Sequence, residues 1–207
     1  AFDYAINNNK KVHFIGLVSN GGVHSHINHL KGLLNAANSA GLKDNVFVHA
    51  FTDGRDCDPK SGEEFIADLL HHMKETTGQL ASITGRYFAM DRDKRWERVK
   101  LGYDALVYAE GLKTAFPLQA IQQSYEQDVT DEFIKPIIVT DEKYEPLAKI
   151  EEGDVVLSFN FRTDRGREIT EVLTQQAYPE YGMQPLKLKY ITMTQYDETY
   201  KNVDVLF

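Results

Sequence analysis

The segment from residue 12 to residue 26, VHFIGLVSNGGVHSH, joins an apolar run to a polar loop that contains two glycines. The apolar run, residues 12–18, has the length of a buried strand. After the loop, apolar residues recur at the spacing of one helix face, at Ile27, Leu30, Leu34 and Ala37. This strand–loop–helix unit is typical of α/β proteins, in which parallel strands alternate with helices.

Three further segments repeat this layout. Strand-like runs at residues 46–51, 80–84 and 154–161 each lead into a loop rich in Gly, Asp or Arg, and then into a helical pattern. The sequence SGEE, which begins at Ser61, has the form of a capping box. It predicts the start of the helix that follows the run at residues 46–51. Weaker patterns predict a helix after residue 117 and strands at residues 137–139 and 186–194, whereas the last residues are uninformative. We predict a single α/β domain whose largely parallel sheet has helices on both faces.

Composition sets limits on the function. The 207 residues are 42% hydrophobic and 26% charged, as in ordinary globular proteins. Cys57 is the single cysteine, which excludes an intramolecular disulfide and is compatible with a cytoplasmic protein. No apolar stretch approaches the ~20 residues of a membrane helix. The net charge of -8 argues against a general affinity for nucleic acid or an anionic membrane, so we expect neither as a partner.

The arginines are the most informative residues of the chain. Each lies at or just beyond the carboxyl end of a predicted strand, whereas the lysines are scattered. Ligands of open α/β sheets bind at that edge, where loops from separate strands converge. The planar guanidinium binds carboxylate or phosphate oxygens through two parallel hydrogen bonds. The sequence therefore predicts a small, strongly anionic ligand, bound by the arginines that lie within loops: Arg55, Arg86, Arg92, Arg162 and Arg165. The arginines near helix starts fit surface ion pairs better: Arg95, Arg98 and Arg167.

Two other residues are candidates for the same site. Asp56, in the sequence TDGRD, is placed to move the proton of a ligand hydroxyl, but it could equally orient Arg55 or cap the next helix. Asp53 in the same sequence fits turn formation. His24 follows two glycines whose amides can approach a phosphate, so we expect His24 to contact that phosphate. His24 also forms a cluster with His26 and His29, but nothing around it matches a metal motif, so we expect no metal in this chain.

Several common motifs are missing. The chain has no G-x-G-x-x-G sequence, no Walker loop and no G-x-S-x-G elbow. It is equipped to hold a phosphorylated acid but has no evident means of cleaving it. An alternative function that remains open is a stand-alone sensor or binding module for a phosphorylated acid.

Four long motifs carry a family resemblance, in the order GLVSNGGVHSHINHL, HAFTDGRD, GRYFAMDRDKRWERVKLGYDAL and FNFRTDRGREIT. Together they closely resemble the substrate-binding insertion domain of cofactor-independent (2,3-bisphosphoglycerate-independent) phosphoglycerate mutases, over nearly the whole chain. Departures are small: Asn20 replaces a usual Asp, and Cys57 a common Thr. No segment resembles the metal-binding motifs of that family's alkaline-phosphatase-like domain.

The resemblance implies a function for residues 1–207 as the substrate-binding domain of an isomerase of glycolysis and gluconeogenesis. The enzyme would interconvert 3-phosphoglycerate and 2-phosphoglycerate through a phosphoserine intermediate, without 2,3-bisphosphoglycerate. Two manganese ions and the serine would belong to the phosphatase-like domain, which is absent from this chain, so the chain alone should be inactive. By the same resemblance, Asp56 would be the general acid and base, and the phosphoglycerate would contact His24, Arg55, Asp56, Arg86, Arg92, Arg162 and Arg165.

Overall fold

An eight-stranded sheet forms the centre of the computed structural model, which describes all of residues 1–207. The strands lie in the order β4-β5-β3-β2-β1-β6-β7-β8. Their bounds are β1 Val12–Leu17, β2 Val46–Thr52, β3 Gln79–Gly85, β4 Leu112–Thr114, β5 Ile137–Val139, β6 Val155–Ser158, β7 Lys189–Thr192 and β8 Val203–Val205.

Seven α-helices and two 3-10 turns connect the strands. The helices are α1 Phe2–Asn8, α2 Ile27–Ser39, α3 Gly62–Glu75, α4 Arg86–Ala89, α5 Trp96–Val107, α6 Pro117–Glu126 and α7 Arg167–Thr174. The 3-10 turns are Asp131–Phe133 and Pro179–Tyr181. No helix is long and apolar enough to cross a membrane.

Strand β1 occupies the middle of the sheet. It pairs in parallel with β2, with Val12 opposite Val46, and with β6, with Val12 opposite Val155. Every other pair is also parallel, except that β5 runs antiparallel to β3. The carboxyl ends of β1, β2, β3 and β6 therefore lie at one edge of the sheet. Because β5 is reversed, the segment that precedes it reaches the same edge.

The sheet is buried on both faces. Along β1, Phe14 packs into a cluster with residues of α2, α3 and α6, whereas Ile15 packs on the opposite face with residues of α5 and α7. Alternate residues of a strand point to opposite faces, so strands that are covered on both sides are apolar throughout. The predicted fold class is confirmed.

Some elements differ from the sequence-based predictions. Helix α1 and the short edge strands β4 and β8 were not predicted. The expected capping box at Ser61 was wrong, because Ser61 has helical torsion angles and its hydroxyl donates to the carbonyl of Asp58. The start of α3 is capped from a distant segment instead: the Gly62 amide donates to the Asp131 carboxylate at 2.7 Å, and the Glu63 amide donates to the Tyr125 hydroxyl.

A line of buried polar side chains crosses the centre of the sheet. His13 Nε2 lies 3.1 Å from Asp154 Oδ2, His13 Nδ1 lies 3.0 Å from His49 Nε2, and His49 Nδ1 lies 2.8 Å from Ser82 Oγ. One direction of donation satisfies every member with neutral rings: His13 to Asp154, His49 to His13, and Ser82 to His49. Burial lowers the pKa of both histidines, and the neighbouring His13 lowers that of His49 further.

These histidines should make the protein sensitive to acid. In the unfolded chain they take up protons below pH about 6.5, whereas in the folded chain they remain neutral. Below pH about 6.5, the free energy of unfolding therefore decreases by up to about 1.4 kcal/mol per pH unit for each histidine. His49→Gln should remove one of the two contributions. Urea unfolding at pH 7.5, 6.5 and 5.5 measures the difference in slope between the two proteins.

Comparing the pH slopes of the two proteins also controls for groups whose titration has the opposite effect on stability. Burial raises the pKa of Asp131 to about 6, so this carboxyl stabilises the fold as the pH falls, equally in both proteins. Identical slopes for wild type and His49→Gln would contradict the assignment of neutral buried rings.

Candidate ligand-binding site

The loops that follow β1, β2, β3 and β6 meet at the carboxyl edge of the sheet. They bring together all the residues that the sequence singled out for the ligand. His24 lies in the loop after β1, Arg55 and Asp56 in the loop after β2, and Arg86 and Arg92 in and beyond α4. The loop after β6 supplies the last two, Arg162 and Arg165.

A buried ion-pair group lies at the centre of this edge. Arg86, only 3% exposed, donates through Nη1 to Asp53 Oδ1 at 2.6 Å and to Asp56 Oδ2 at 2.7 Å. Asp53 also accepts from the Ser19 hydroxyl and from the amides of Arg55 and Asp56. Burial opposes ionisation of Asp53, but these donors outweigh it and lower the pKa of Asp53. Asp53 thus forms the predicted turn and, in addition, a buried ion pair that the sequence did not reveal.

The TDGRD turn determines the orientation of the charged side chains of Arg55 and Asp56. Gly54 has φ 68°, and a Cβ there would lie 2.8 Å from the amide nitrogen of Glu132, so only glycine fits. The Arg55 side chain is 52% exposed and lies 3.5 Å from Glu132 Oε1. Asp56 forms its ion pair with Arg86, whereas Arg55 lies beside Glu132, so Asp56 does not orient Arg55.

His24 connects this group to a second cluster. Its ring is 3% exposed, with Nε2 4.0 Å from Asp56 Oδ2 and Nδ1 3.7 Å from Asp164 Oδ1. Burial, followed by the charge of Arg86, lowers the pKa of His24 to about 4. The ring is therefore neutral at pH 7.

Asp164 is the centre of the second cluster. Its Oδ2 accepts from Arg92 Nη1 at 2.9 Å and from Arg162 Nη2 at 3.0 Å. Asp164 lies between two arginines in the sequence RTDR, and this alternation of charge was the signal that could have identified it.

Arg165 carries the least compensated charge of the site. It donates to the carbonyl of Met90 at 3.0 Å and forms no ion pair. Burial, and then the positive charges of Arg86, Arg92 and Arg55, lower the pKa of Arg165. Arginines are close together here, and an anionic ligand would reduce the repulsion between them.

A cavity of about 140 Å³ lies among these side chains. Its walls are Arg55, Arg86, Tyr87, Asp91, Asp93, Arg95, Arg98, Glu132, Phe133 and Arg165. Arg95 and Arg98 form the expected ion pairs, with Asp93 and Asp91, yet they also line the cavity. Arg167 donates to the carbonyl of Tyr196.

A larger cavity, of about 550 Å³, lies beside β4. Its lining is mainly apolar, includes Leu101 and Leu112, and contains none of the candidate ligand residues. The smaller cavity is the candidate ligand site because arginines outnumber carboxylates in its lining.

Two further carboxyls near Arg92 were not identified from sequence patterns. Asp91 accepts from the amides of Asp93 and Arg95, and Glu168 accepts from the amide of Lys94. Burial, aided by the charge of Asp91, raises the pKa of Glu168 to about 7. The loop around Arg92 is therefore held by acidic side chains from two elements.

His26 and His29 have neighbouring rings but different partners. His26 Nδ1 accepts from the Asn28 amide at the start of α2, and His29 packs against Phe161. Residues 1–207 contain no group of three or more His, Cys, Asp or Glu side chains that could hold a metal ion.

Similarity to known proteins indicates the family of this chain. The family described as "BPG-independent PGAM N-terminus" matches residues 1–198. Proteins named 2,3-bisphosphoglycerate-independent phosphoglycerate mutase, from Flavobacterium johnsoniae and Flavobacterium psychrophilum, are 60% and 57% identical over the whole chain, which spans 41% of their length. A crystal structure of Leishmania mexicana phosphoglycerate mutase at low cobalt concentration superposes with a TM-score of 0.84 and 32% identity, covering 95% of this chain and 41% of that one. The chain therefore belongs to the family of BPG-independent phosphoglycerate mutase N-termini.

Proposed function

We propose that this chain is the substrate-holding domain of an isomerase that interconverts 3-phosphoglycerate and 2-phosphoglycerate without 2,3-bisphosphoglycerate. The observation that carries the proposal is Arg165, which has no carboxylate partner and lines the cavity together with Arg55 and Arg86. Asp56 is the ion-pair partner of Arg86 at this cavity. Phosphoglycerate bears a phosphate and a carboxylate, and several guanidinium groups can bind both ends at once. The names of the relatives support the same substrate class.

The reaction requires a group that moves protons between the two glycerate oxygens. In the proposed sequence the phosphoryl group passes to a serine of a separate phosphatase-like domain, and protonated Asp56 gives its proton to the oxygen that is released. Asp56 then takes the proton of the other hydroxyl as that oxygen attacks the phosphoserine, so the carboxyl ends as it began. Arg86, 2.7 Å from Asp56 Oδ2, fixes the carboxyl where both oxygens can reach it.

The remaining parts of the proposal concern the whole protein. The two manganese ions belong to the phosphatase-like domain and supply Lewis-acid stabilisation of the phosphoryl group. In this chain, the arginines retain the glycerate between the two half-reactions, which requires closure of one domain on the other. The chain alone is then inactive, and the complete enzyme acts in glycolysis and gluconeogenesis in the cytoplasm.

Binding of 3-phosphoglycerate to this chain tests the proposal. Isothermal titration at low salt should show saturable binding, and Arg92→Ala should weaken it about 10-fold to 150-fold, because a charged hydrogen bond is worth about 1.5–3 kcal/mol. Asp56→Asn should bind at least as well as wild type, since it removes a negative charge from the cleft.

Lys43→Ala is the matched control for net charge. Lys43 is exposed and precedes β2, at the opposite edge of the sheet, so its loss should leave the affinity unchanged. Equal weakening by Lys43→Ala and Arg92→Ala would show a general charge effect and contradict a built site. Absence of saturable binding would contradict a cleft that is preformed in this chain.

A further inference from the structure

Two buried polar atoms face each other in the ligand site without hydrogen-bond partners. They are His24 Nδ1 and Asp164 Oδ1, which lie 3.7 Å apart. Buried polar atoms are nearly always hydrogen-bonded, and an unpaired one costs about 1–3 kcal/mol. The gap is too short for a bridging water, because a water needs a full hydrogen-bond length to each side. The two atoms therefore satisfy each other directly or remain unpaired.

The surrounding structure holds both groups in this relation. The amides of Phe161 and Arg162 donate to the His24 carbonyl, at 2.8 and 3.3 Å, so the loop after β6 is attached to the backbone of His24. On the other side, Arg92 and Arg162 bind Asp164 and keep its carboxylate in place. Arg162 Nε also lies 2.9 Å from Asp164 Oδ1, but not in hydrogen-bond geometry. Oδ1 thus has a cation beside it but no aligned hydrogen-bond donor.

A neutral imidazole carries one proton, so two tautomers compete. With the proton on Nε2, the N–H faces Asp56, whose Oδ2 already accepts from Arg86. The lone pair on Nδ1 is then buried against the Asp164 carboxylate. With the proton on Nδ1, the N–H faces Asp164 Oδ1, and an approach closer than the present 3.7 Å would form one hydrogen bond that satisfies both atoms. Lone pairs that face each other in a buried site are unfavourable, so the second tautomer has the lower energy.

We propose that Asp164 is a positioning residue that holds His24 with its proton on Nδ1, and thereby presents the Nε2 lone pair to Asp56 and the ligand. In the proposed function, which this inference extends, Nε2 can then accept a hydrogen bond from a glycerate hydroxyl or from protonated Asp56. It cannot donate to a phosphate oxygen while the ring is neutral. His24 therefore recognises the hydroxyl that exchanges its proton, and the phosphate is left to the arginines.

Nitrogen-15 NMR of the histidine rings in the ligand-free chain tests the assignment. Long-range proton–nitrogen spectra distinguish a protonated ring nitrogen from one with a lone pair. For wild type at pH 7 we expect Nδ1 of His24 to be the protonated nitrogen. In Asp164→Asn, the amide oxygen should turn to the arginines and the NH₂ to His24, where it donates to Nδ1. The two ring nitrogens should then exchange their signal types.

Asp93→Asn is the matched control, since Asp93 lies in the neighbouring loop and pairs with Arg95 without contacting His24. It should leave the His24 signals in the wild-type pattern. A wild-type ring protonated on Nε2, or the same tautomer in Asp164→Asn, would overturn the proposal. Backbone amide spectra show whether each variant folds. If Asp164→Asn does not fold, Asp164→Ala replaces it, because alanine also removes the acceptor. Because no ligand is present, the result is independent of whether phosphoglycerate binds.

Discussion

Replacing Arg86 with methionine is expected to lower the free energy of unfolding by about 3–5 kcal/mol. Methionine retains much of the volume but leaves the Asp53 carboxylate, 2% exposed, without its cation. Removal of one partner from a buried ion pair is costly because the remaining charge is neither hydrated nor compensated. A domain of this size is stable by only about 5–15 kcal/mol, so the loss is a large fraction of the total.

Urea unfolding at pH 7 measures this effect, with Arg55→Met as the control. Arg55 is half exposed and its ion pair with Glu132 is long, so its replacement should change the stability by less than about 0.5 kcal/mol. Addition of Asp53→Asn to Arg86→Met should restore part of the loss, because a neutral amide costs less to bury than a carboxylate. Equal stability of the two single variants would refute a structural function for the Arg86 ion pair.

The second large effect is expected from Gly85→Ala, which should destabilise the fold by about 3 kcal/mol. Gly85 ends β3 with ordinary extended torsion angles, so backbone strain is not the reason. The added Cβ would clash with the Glu132 carbonyl and lie 2.7 Å from the Ile134 amide nitrogen, and both are backbone atoms that cannot turn aside. The segment that carries Glu132 and Phe133, two walls of the ligand cavity, would have to move.

Gly32→Ala is the same chemical change but should increase the stability. Gly32 lies within α2 and a Cβ there meets nothing within 4 Å, so alanine should stabilise the helix by about 0.5–1 kcal/mol. Thermal unfolding of both variants checks the pair. A melting temperature for Gly85→Ala at or above that of wild type would show that the close approach is not required.

The fold, and the edge of the sheet at which the loop arginines meet, could be predicted because both depend on local patterns. Apolar runs of strand length alternate with helical patterns, which determines a parallel sheet, and parallel strands place their following loops at one edge. The clustering of Arg55, Arg86 and Arg165 follows from that topology, and the structure brings them to one cavity.

The contacts that organise the site could not be predicted in the same way. Asp131 caps a helix that lies far from it in the sequence, and Asp164 holds a histidine from another loop, so no local pattern specifies either contact. The antiparallel direction of β5 was also not evident, because a three-residue apolar run is the same in either direction. Contacts between distant segments depend on packing, which a single sequence does not display.

The central position of β1 determines when the ligand cleft can be assembled. During synthesis, β1, β2 and β3 are complete long before β6 leaves the ribosome. The edge of β1 that pairs with β6 therefore stays unpaired while most of the domain is synthesised. Asp164, Arg162 and Arg165 arrive still later, immediately after β6. Pairings between distant strands also form slowly. The candidate cleft of a nascent chain is therefore complete only in the last stage of folding.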